Sequence, residues 1–256
     1  MVEIIAICNQ KGGVGKTTTA INVAACLAAA EKNTLIIDLD PQGNATTGLG
    51  INKYEIKNGI YNVLIGDSDI NTIQVDVGLP YLKLIPSNTQ LVGAELELVE
   101  IVSRETILKQ KLETINMVYD YIIIDCPPSL GLLTLNALTA AHSVLIPVQC
   151  EYYAMEGMAD LQRTVALVQQ SLNKNLIIKG IVLTMFDARN NLAHQVASEI
   201  RSHYGTKVFN AVVPRNVRLS EAPSHGKPII LYDVTSKGAS SYLELANEFM
   251  SMNTNS

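Results

Sequence analysis

The residues Asn9-Gln10-Lys11-Gly12-Gly13-Val14-Gly15-Lys16-Thr17-Thr18 have the types and spacing most suited to chemistry in this sequence. They follow the aliphatic run Ile4–Ile7 and open a helical pattern, so they read as a strand-to-helix turn. Glycines at such a turn let successive backbone N–H groups point inward around phosphate oxygens, and the helix N-terminus adds positive potential. Lys16 is placed to reach terminal phosphates and the Thr17 hydroxyl to ligate magnesium. The spacing departs from G-x-x-x-x-G-K-[ST], because Gln10 stands where that pattern has glycine and a second lysine, Lys11, precedes the glycine pair.

Two acidic strand ends complete the expected site. Leu35-Ile36-Ile37-Asp38-Leu39-Asp40 and Tyr121-Ile122-Ile123-Ile124-Asp125 each carry carboxylates where a buried strand finishes, which is where open α/β sheets bind ligands. Asp125 is expected to hold Mg²⁺ through water, and Asp40 to orient or activate an attacking water. Asp38 also suits a plain turn or cap role. Phosphoryl transfer needs mostly positioning and charge neutralisation, which two lysines, a metal ion and two carboxylates supply. The implied reaction is hydrolysis of ATP to ADP and phosphate.

Positioning these groups requires a scaffold, and the hydrophobic pattern describes one. Aliphatic runs recur at Ile4–Ile7, Leu35–Leu39, Leu82–Ile85, Tyr121–Ile124, Val144–Val148, Ile177–Leu183 and Val208–Val213. They do not alternate apolar with polar, as expected of strands buried on both faces of a parallel sheet. Helical patterns lie between them, among them Thr17–Ala30, Glu105–Val118, Met155–Leu172, Leu192–Tyr204 and Tyr242–Met250. This alternation predicts an α/β fold: a doubly wound, mostly parallel sheet flanked by helices, in a single domain over residues 1–256. Gly50–Leu79, punctuated by Asn, Gly and Asp, is expected to form short helices and loops over one sheet edge.

Composition narrows the function classes. A chain of 256 residues with 48% apolar content has enough material for a sizeable core. Cys8, Cys26, Cys126 and Cys150 lie far apart with no C-x-x-C pair, so they are read as reduced packing residues. The sequence starts without a basic leader, and no apolar run approaches the ~18 residues that span a bilayer, so a soluble intracellular protein is expected. A formal charge of -5 opposes a simple basic nucleic-acid module. That charge is unevenly spread, however: Asp160–Ser240 carries ten Lys and Arg against five acids, leaving nine against nineteen elsewhere.

The loop resembles the deviant Walker A pattern K-G-G-x-G-K-[ST], whose family includes partition ATPases, MinD division-site proteins, nitrogenase iron proteins and arsenite-pump ATPases. That resemblance implies that Lys11 crosses a dimer interface to phosphates held by the other subunit, in an ATP-sandwiched homodimer. Longer segments narrow the likeness: Asp40–Thr46, Tyr119–Leu138, Ile146–Gly157 and Val213–Ile229 resemble ParA-type, Soj-like chromosome partition ATPases over nearly the whole chain. The family implies that Gly12, Gly13, Val14, Gly15, Lys16, Thr17 and Thr18 cradle the nucleotide phosphates. By the same likeness, Met185, Pro214 and Asn216 frame the adenine. Glu151 and Glu156 suit either the dimer seam or plain structural roles.

Further implications of the resemblance are sequence-independent binding of double-stranded DNA by the ATP dimer, with Arg189 and Arg218 on phosphates, and a ParB-like centromere-binding partner that stimulates hydrolysis. A cytoplasmic, nucleoid-associated protein follows, and the likeness extends to a role in regulating replication initiation. The alternative is a MinD-like, membrane-associated positioning ATPase, which needs a basic amphipathic C-terminal helix. Glu244–Ser256 contains no Lys or Arg, so stable membrane association is not expected.

Overall fold

The computed structural model describes residues 2–66 and 68–253. Its strands are β1 (Glu3–Ile7), β2 (Thr34–Asp38), β3 (Val75–Asp76), β4 (Leu82–Ile85), β5 (Tyr121–Asp125), β6 (Ser143–Gln149), β7 (Ile177–Phe186) and β8 (Val208–Pro214). They form one sheet in the order β3-β4-β2-β5-β1-β6-β7-β8, parallel throughout except for the antiparallel β3–β4 pair. The helices are α1 (Lys16–Ala29), α2 (Asn44–Gly48), α3 (Ile60–Leu64), α4 (Leu91–Leu98), α5 (Ile107–Leu112), α6 (Leu132–Ala140), α7 (Ala154–Ser171), α8 (Asn191–Tyr204), α9 (Val217–Glu221), α10 (Ile229–Tyr232) and α11 (Lys237–Asn253).

The continuous aliphatic strands serve two cores at once. In β1, Ile4 and Ala6 join the core under α3 to α8, while Ile5 and Ile7 join the core under α1, α2 and α9 to α11. β2 and β5 divide in the same way, with Ile37 and Ile124 on the first side and Ile36 and Ile123 on the second. Burying such a side chain contributes about 1.5–3 kcal/mol, so both helix layers are held firmly to the sheet. Ile5 is fully buried in the central strand, and its replacement by alanine would cost about 2–5 kcal/mol.

All seven aliphatic runs are strands, and the doubly wound, mostly parallel sheet is as expected. Three local details differ. Gly50–Leu79 contains α3, as expected, but also β3, whose two residues are too few to leave a pattern. The helix expected over Glu105–Val118 is a 3-10 turn at Arg104–Thr106 followed by α5, which stops at Leu112. Asn71 competes there, its Nδ2 donating to the Thr114 carbonyl at 3.0 Å and its Oδ1 accepting from the Asn116 N–H at 2.9 Å. α6 was hidden for another reason: nearly every residue in it is buried, so it has no polar face to mark a helical period.

Candidate active site

Central placement of β1 brings its C-terminal end beside those of its neighbours. Ile7 pairs with Asp125 and Asp125 with Asp38, so three adjacent strands finish in one row. The glycine loop rises from this row. Gly13 at φ 76° and Gly15 at φ 86° adopt the left-handed conformation that favours glycine and turns the chain sharply into α1. The Asn9 Nδ2 donates to the Pro147 carbonyl at 2.8 Å, and its Oδ1 accepts the Lys11 N–H at 3.0 Å. On the far side the Thr184 hydroxyl donates to the Val14 carbonyl at 2.8 Å, with Val14 itself buried. These contacts fasten the loop to β6 and β7. No side chain caps α1 and no acid lies in its first turn, so the N–H groups at Lys16, Thr17 and Thr18 are available to an anion.

The two lysines occupy different settings. Lys16 is buried and its ammonium donates to the Lys11 carbonyl at 3.1 Å, inside the loop's curve. Burial lowers its pKa, opposed by attraction to Asp125, then Cys126, Cys8 and Asp40. Lys11 stands half-exposed on the rim and forms an ion pair with Glu151, just beyond β6. Glu156, in the first turn of α7, is exposed.

The three carboxylates divide by their partners. Asp38 is fully occupied: Oδ2 accepts the N–H and hydroxyl of Thr46, each at 2.7 Å, and Oδ1 accepts the Asp40 N–H at 3.2 Å. It holds the turn into α2, and burial pushes its pKa up to about 6 against those hydrogen bonds. Asp40 is nearly buried, lines the cleft and accepts the Gln42 N–H at 2.9 Å. Asp125 is fully buried with both oxygens lacking a hydrogen-bond partner. Burial and the neighbouring Asp38 raise its pKa strongly, opposed first by the nearby Thr17 hydroxyl and then by Lys16. An unpartnered carboxylate costs several kcal/mol in the dry, so this one fits a cation, with Thr17 beside it.

A cleft of about 570 Å³ opens from this row, lined by Gly12, Gly13, Gly15, Lys16, Thr17, Thr18 and Asp40 at one end. Met185, Pro214 and Asn216 line the other, so the expected phosphate and base groups share one cavity. Met185 has φ 46°, an unusual backbone for a side chain of its size, and Asn216 caps α9 by accepting the Leu219 N–H at 3.3 Å. Sequence reasoning missed several lining groups, including Gln42, Asn44 and Tyr242, whose hydroxyl meets that of Thr19 at 3.1 Å. Tyr242 lies far along the chain in α11, and no local pattern links it to the loop.

Arg189 and Arg218 lie outside the lining of this cleft. Arg189 is exposed and pairs with Asp187 through two contacts of 3.0 Å. Arg218 is half-exposed and meets Glu221 at 2.9 Å and Asp233 at 3.3 Å. The cysteines are not all far apart in space. Although distant in sequence, Cys8 and Cys126 follow β1 and β5 side by side, with their sulfurs 3.0 Å apart; parallel pairing brings together residues that sequence spacing keeps apart.

A family model described as an AAA domain matches residues 2–178. The chain is 59% identical over 248 residues to the sporulation initiation inhibitor protein Soj of Bacillus subtilis, covering 97% of this chain and 98% of that one. It is 58% identical over 252 residues to the chromosome partitioning protein ParA of Myxococcus xanthus, covering 98% and 89%. Among solved structures, a cobyrinic acid a,c-diamide synthase from Mycobacterium smegmatis, with bound ADP and magnesium, superposes with a TM-score of 0.87 at 36% identity, covering 99% of this chain and 96% of that one.

Proposed function

From the premise that the chain belongs to the Soj/ParA family of chromosome-partitioning proteins, we propose that it is an ATP-dependent DNA-segregation ATPase, acting as one domain over residues 1–256. It binds ATP with Mg²⁺, pairs into a nucleotide-sandwich homodimer, holds double-stranded DNA without sequence preference, and hydrolyses ATP when a ParB-like partner stimulates it. The observation that carries the reading is the buried, unpartnered Asp125 carboxylate facing an uncapped helix start and a buried lysine. Relatives at 59% and 58% identity favour partition over the synthase likeness at 36%.

Each residue has a defined task. Backbone N–H groups from Gly12 to Thr18, with Lys16, hold phosphate oxygens and offset their charge. Thr17 ligates magnesium, and Asp125 holds it through water. Asp40 orients the attacking water and accepts its proton, while Asp38 keeps the loop carrying Asp40 in place. Met185, Pro214 and Asn216 flank the adenine. Lys11 leaves Glu151 and reaches the phosphates bound by the other subunit. Bound Mg²⁺–ATP supplies the scissile phosphoryl bond and the cation that neutralises Asp125.

Arg189 and Arg218 contact DNA phosphates in this reading. Their present partners are partly exposed carboxylates paired with exposed arginines, and such surface pairs contribute only about 0.2–1 kcal/mol, so phosphate can displace them. A membrane role is disfavoured because the apolar face of α11 (Ala239, Tyr242, Leu245, Ala246 and Phe249) is already packed against the sheet. No helix among the described residues is long and apolar enough to cross a membrane. The expected site of action is the nucleoid in the cytoplasm. Equilibrium binding of a fluorescent ATP analogue with and without Mg²⁺ tests the nucleotide site: tight, magnesium-dependent binding supports it, and binding indifferent to magnesium in wild type and Asp125→Asn alike removes Asp125 from its role.

A further inference from the structure

We propose that Cys8 and Cys126 are an oxidative modification site: in the nucleotide-free chain a peroxide links them in an intrachain disulfide that ties the base of the glycine loop to the end of β5 and arrests turnover. The disulfide follows from the geometry alone. Its effect on turnover rests on the ATPase reading above.

The two sulfurs are 3.0 Å apart, closer than two sulfur atoms ordinarily approach without bonding. Their backbones continue the register that pairs Ile7 with Asp125, and the Cys126 N–H donates to the Ile7 carbonyl at 3.3 Å. Adjacent strands lie about 4.7–4.9 Å apart, inside the roughly 4.4–6.8 Å separation of Cα atoms that a disulfide spans. Closing the bond requires the sulfurs to move about 1 Å, to roughly 2.05 Å. Side-chain rotation supplies part of that movement, and the two strand ends draw together for the rest.

Both thiols are 1% exposed, so the route for an oxidant decides when they react. They stand behind Lys16, whose ammonium feels both sulfurs, and the cleft in front of Lys16 is the space that phosphates would fill. A small neutral peroxide can enter that cleft when nucleotide is absent. Burial of both thiols keeps the first step slow, because the oxidant must pass the loop to reach them.

Electrons and atoms balance in two steps. One thiolate attacks a peroxide oxygen, breaking the O–O bond; the sulfur becomes a sulfenic acid and the departing oxygen leaves as water after taking a proton. The neighbouring thiol then attacks that sulfur, forming the S–S bond and expelling the sulfenic oxygen as a second water. Two thiols lose two electrons and two protons in all, and one peroxide becomes two waters. Contact between the sulfurs makes the second step effectively intramolecular and fast.

Cys8 immediately precedes Asn9, which anchors the loop, and Cys126 immediately follows Asp125. Shifting either by an ångström disturbs the site, and misplacement of that size costs up to about 10²-fold in rate. The full chain is treated with hydrogen peroxide, with and without Mg²⁺–ATP, then alkylated and mapped by mass spectrometry. A linked peptide joining Cys8 to Cys126 is expected, suppressed by Mg²⁺–ATP, with ATPase activity falling about ten-fold or more and returning on reduction with dithiothreitol. Cys8→Ala should lose the link and keep its activity through the same treatment. Absence of the linked peptide, or equal amounts with and without Mg²⁺–ATP, overturns the site whether or not ATP is hydrolysed. A link that leaves turnover unchanged overturns the proposed control, and so does equal inactivation of Cys8→Ala.

Discussion

Lys11 and Glu151 form an ion pair within one chain, joining the rim of the glycine loop to the segment after β6. If Lys11 serves the other subunit's phosphates, this pair must break on dimerisation, and Glu151 competes with ATP for the lysine. Both side chains are more than a third exposed, at 37% and 47%, so the competition is modest.

Glu151→Gln should therefore lower the ATP concentration needed for dimerisation by about 1.4- to five-fold, the range set by about 0.2–1 kcal/mol for an exposed pair. Lys11→Ala should bind ATP normally and stay monomeric. Light scattering across an ATP titration reads both, and an ATP dimer formed by Lys11→Ala would refute the crossing.

Lys16 is buried and inside the loop, so Lys16→Ala removes a charge that nothing else can replace. ATP binding should weaken by about 30-fold or more, since truncating one member of a buried charged pair costs about 2–5 kcal/mol. Isothermal calorimetry measures this directly; affinity within a few-fold of wild type would place the phosphates elsewhere.

Asp40→Ala should leave nucleotide binding intact and slow hydrolysis by about 10²–10⁴-fold, the usual contribution of a positioned base. The ATP dimer should then persist on DNA. Normal single-turnover hydrolysis would remove Asp40 from the chemistry and leave it the backbone hydrogen bond with Gln42.

Asp125 and Asp38 bind protons more tightly in the folded chain than in the unfolded one, because burial raises both pKa values. Their contribution to stability is therefore fully present below the ordinary 3.8 and is lost as pH rises, through about 6 for Asp38. Asp125→Asn removes a buried charge, so the nucleotide-free variant should melt about 2–4 °C or more above wild type at neutral pH, the shift expected per kcal/mol in a chain of this size. The gap should narrow in acid. A variant melting below wild type at neutral pH would mean that Asp125 is partnered in solution.

Arg189→Glu and Arg218→Glu should each weaken DNA binding while sparing the ATP dimer, and each should reduce the salt slope by about one unit for every phosphate it no longer neutralises. Electrophoretic or anisotropy titrations at several salt concentrations report this. Full affinity in both variants would move the DNA face away from these arginines.

Much of the site is legible in the sequence because its signals are local. Gly13, Gly15, Lys16 and Thr17 sit within one turn, and Asp40 and Asp125 end strands whose aliphatic runs are continuous because both faces are buried. What stayed hidden depends on pairing between distant segments. Glu151 meets Lys11 and Cys126 meets Cys8 only because β6 and β5 flank β1 on either side. Tyr242 reaches the cleft only through the packing of α11 against the sheet and α1. Asp38 has the same residue type and strand-end placement as Asp40, and only the fold reveals that Thr46 occupies it.

The charge of -5 overall, against a basic stretch at Asp160–Ser240, makes the proposed DNA binding the least obvious part of this reading and the most informative to measure. Retention of the full chain on a plain duplex, compared in ATP and in ADP across a salt series, tests it most directly. Strong retention is predicted with ATP, little with ADP, and steep loss as salt rises, because only the dimer presents two basic faces together. Equal retention in both nucleotides, or none with ATP at low salt, would contradict it.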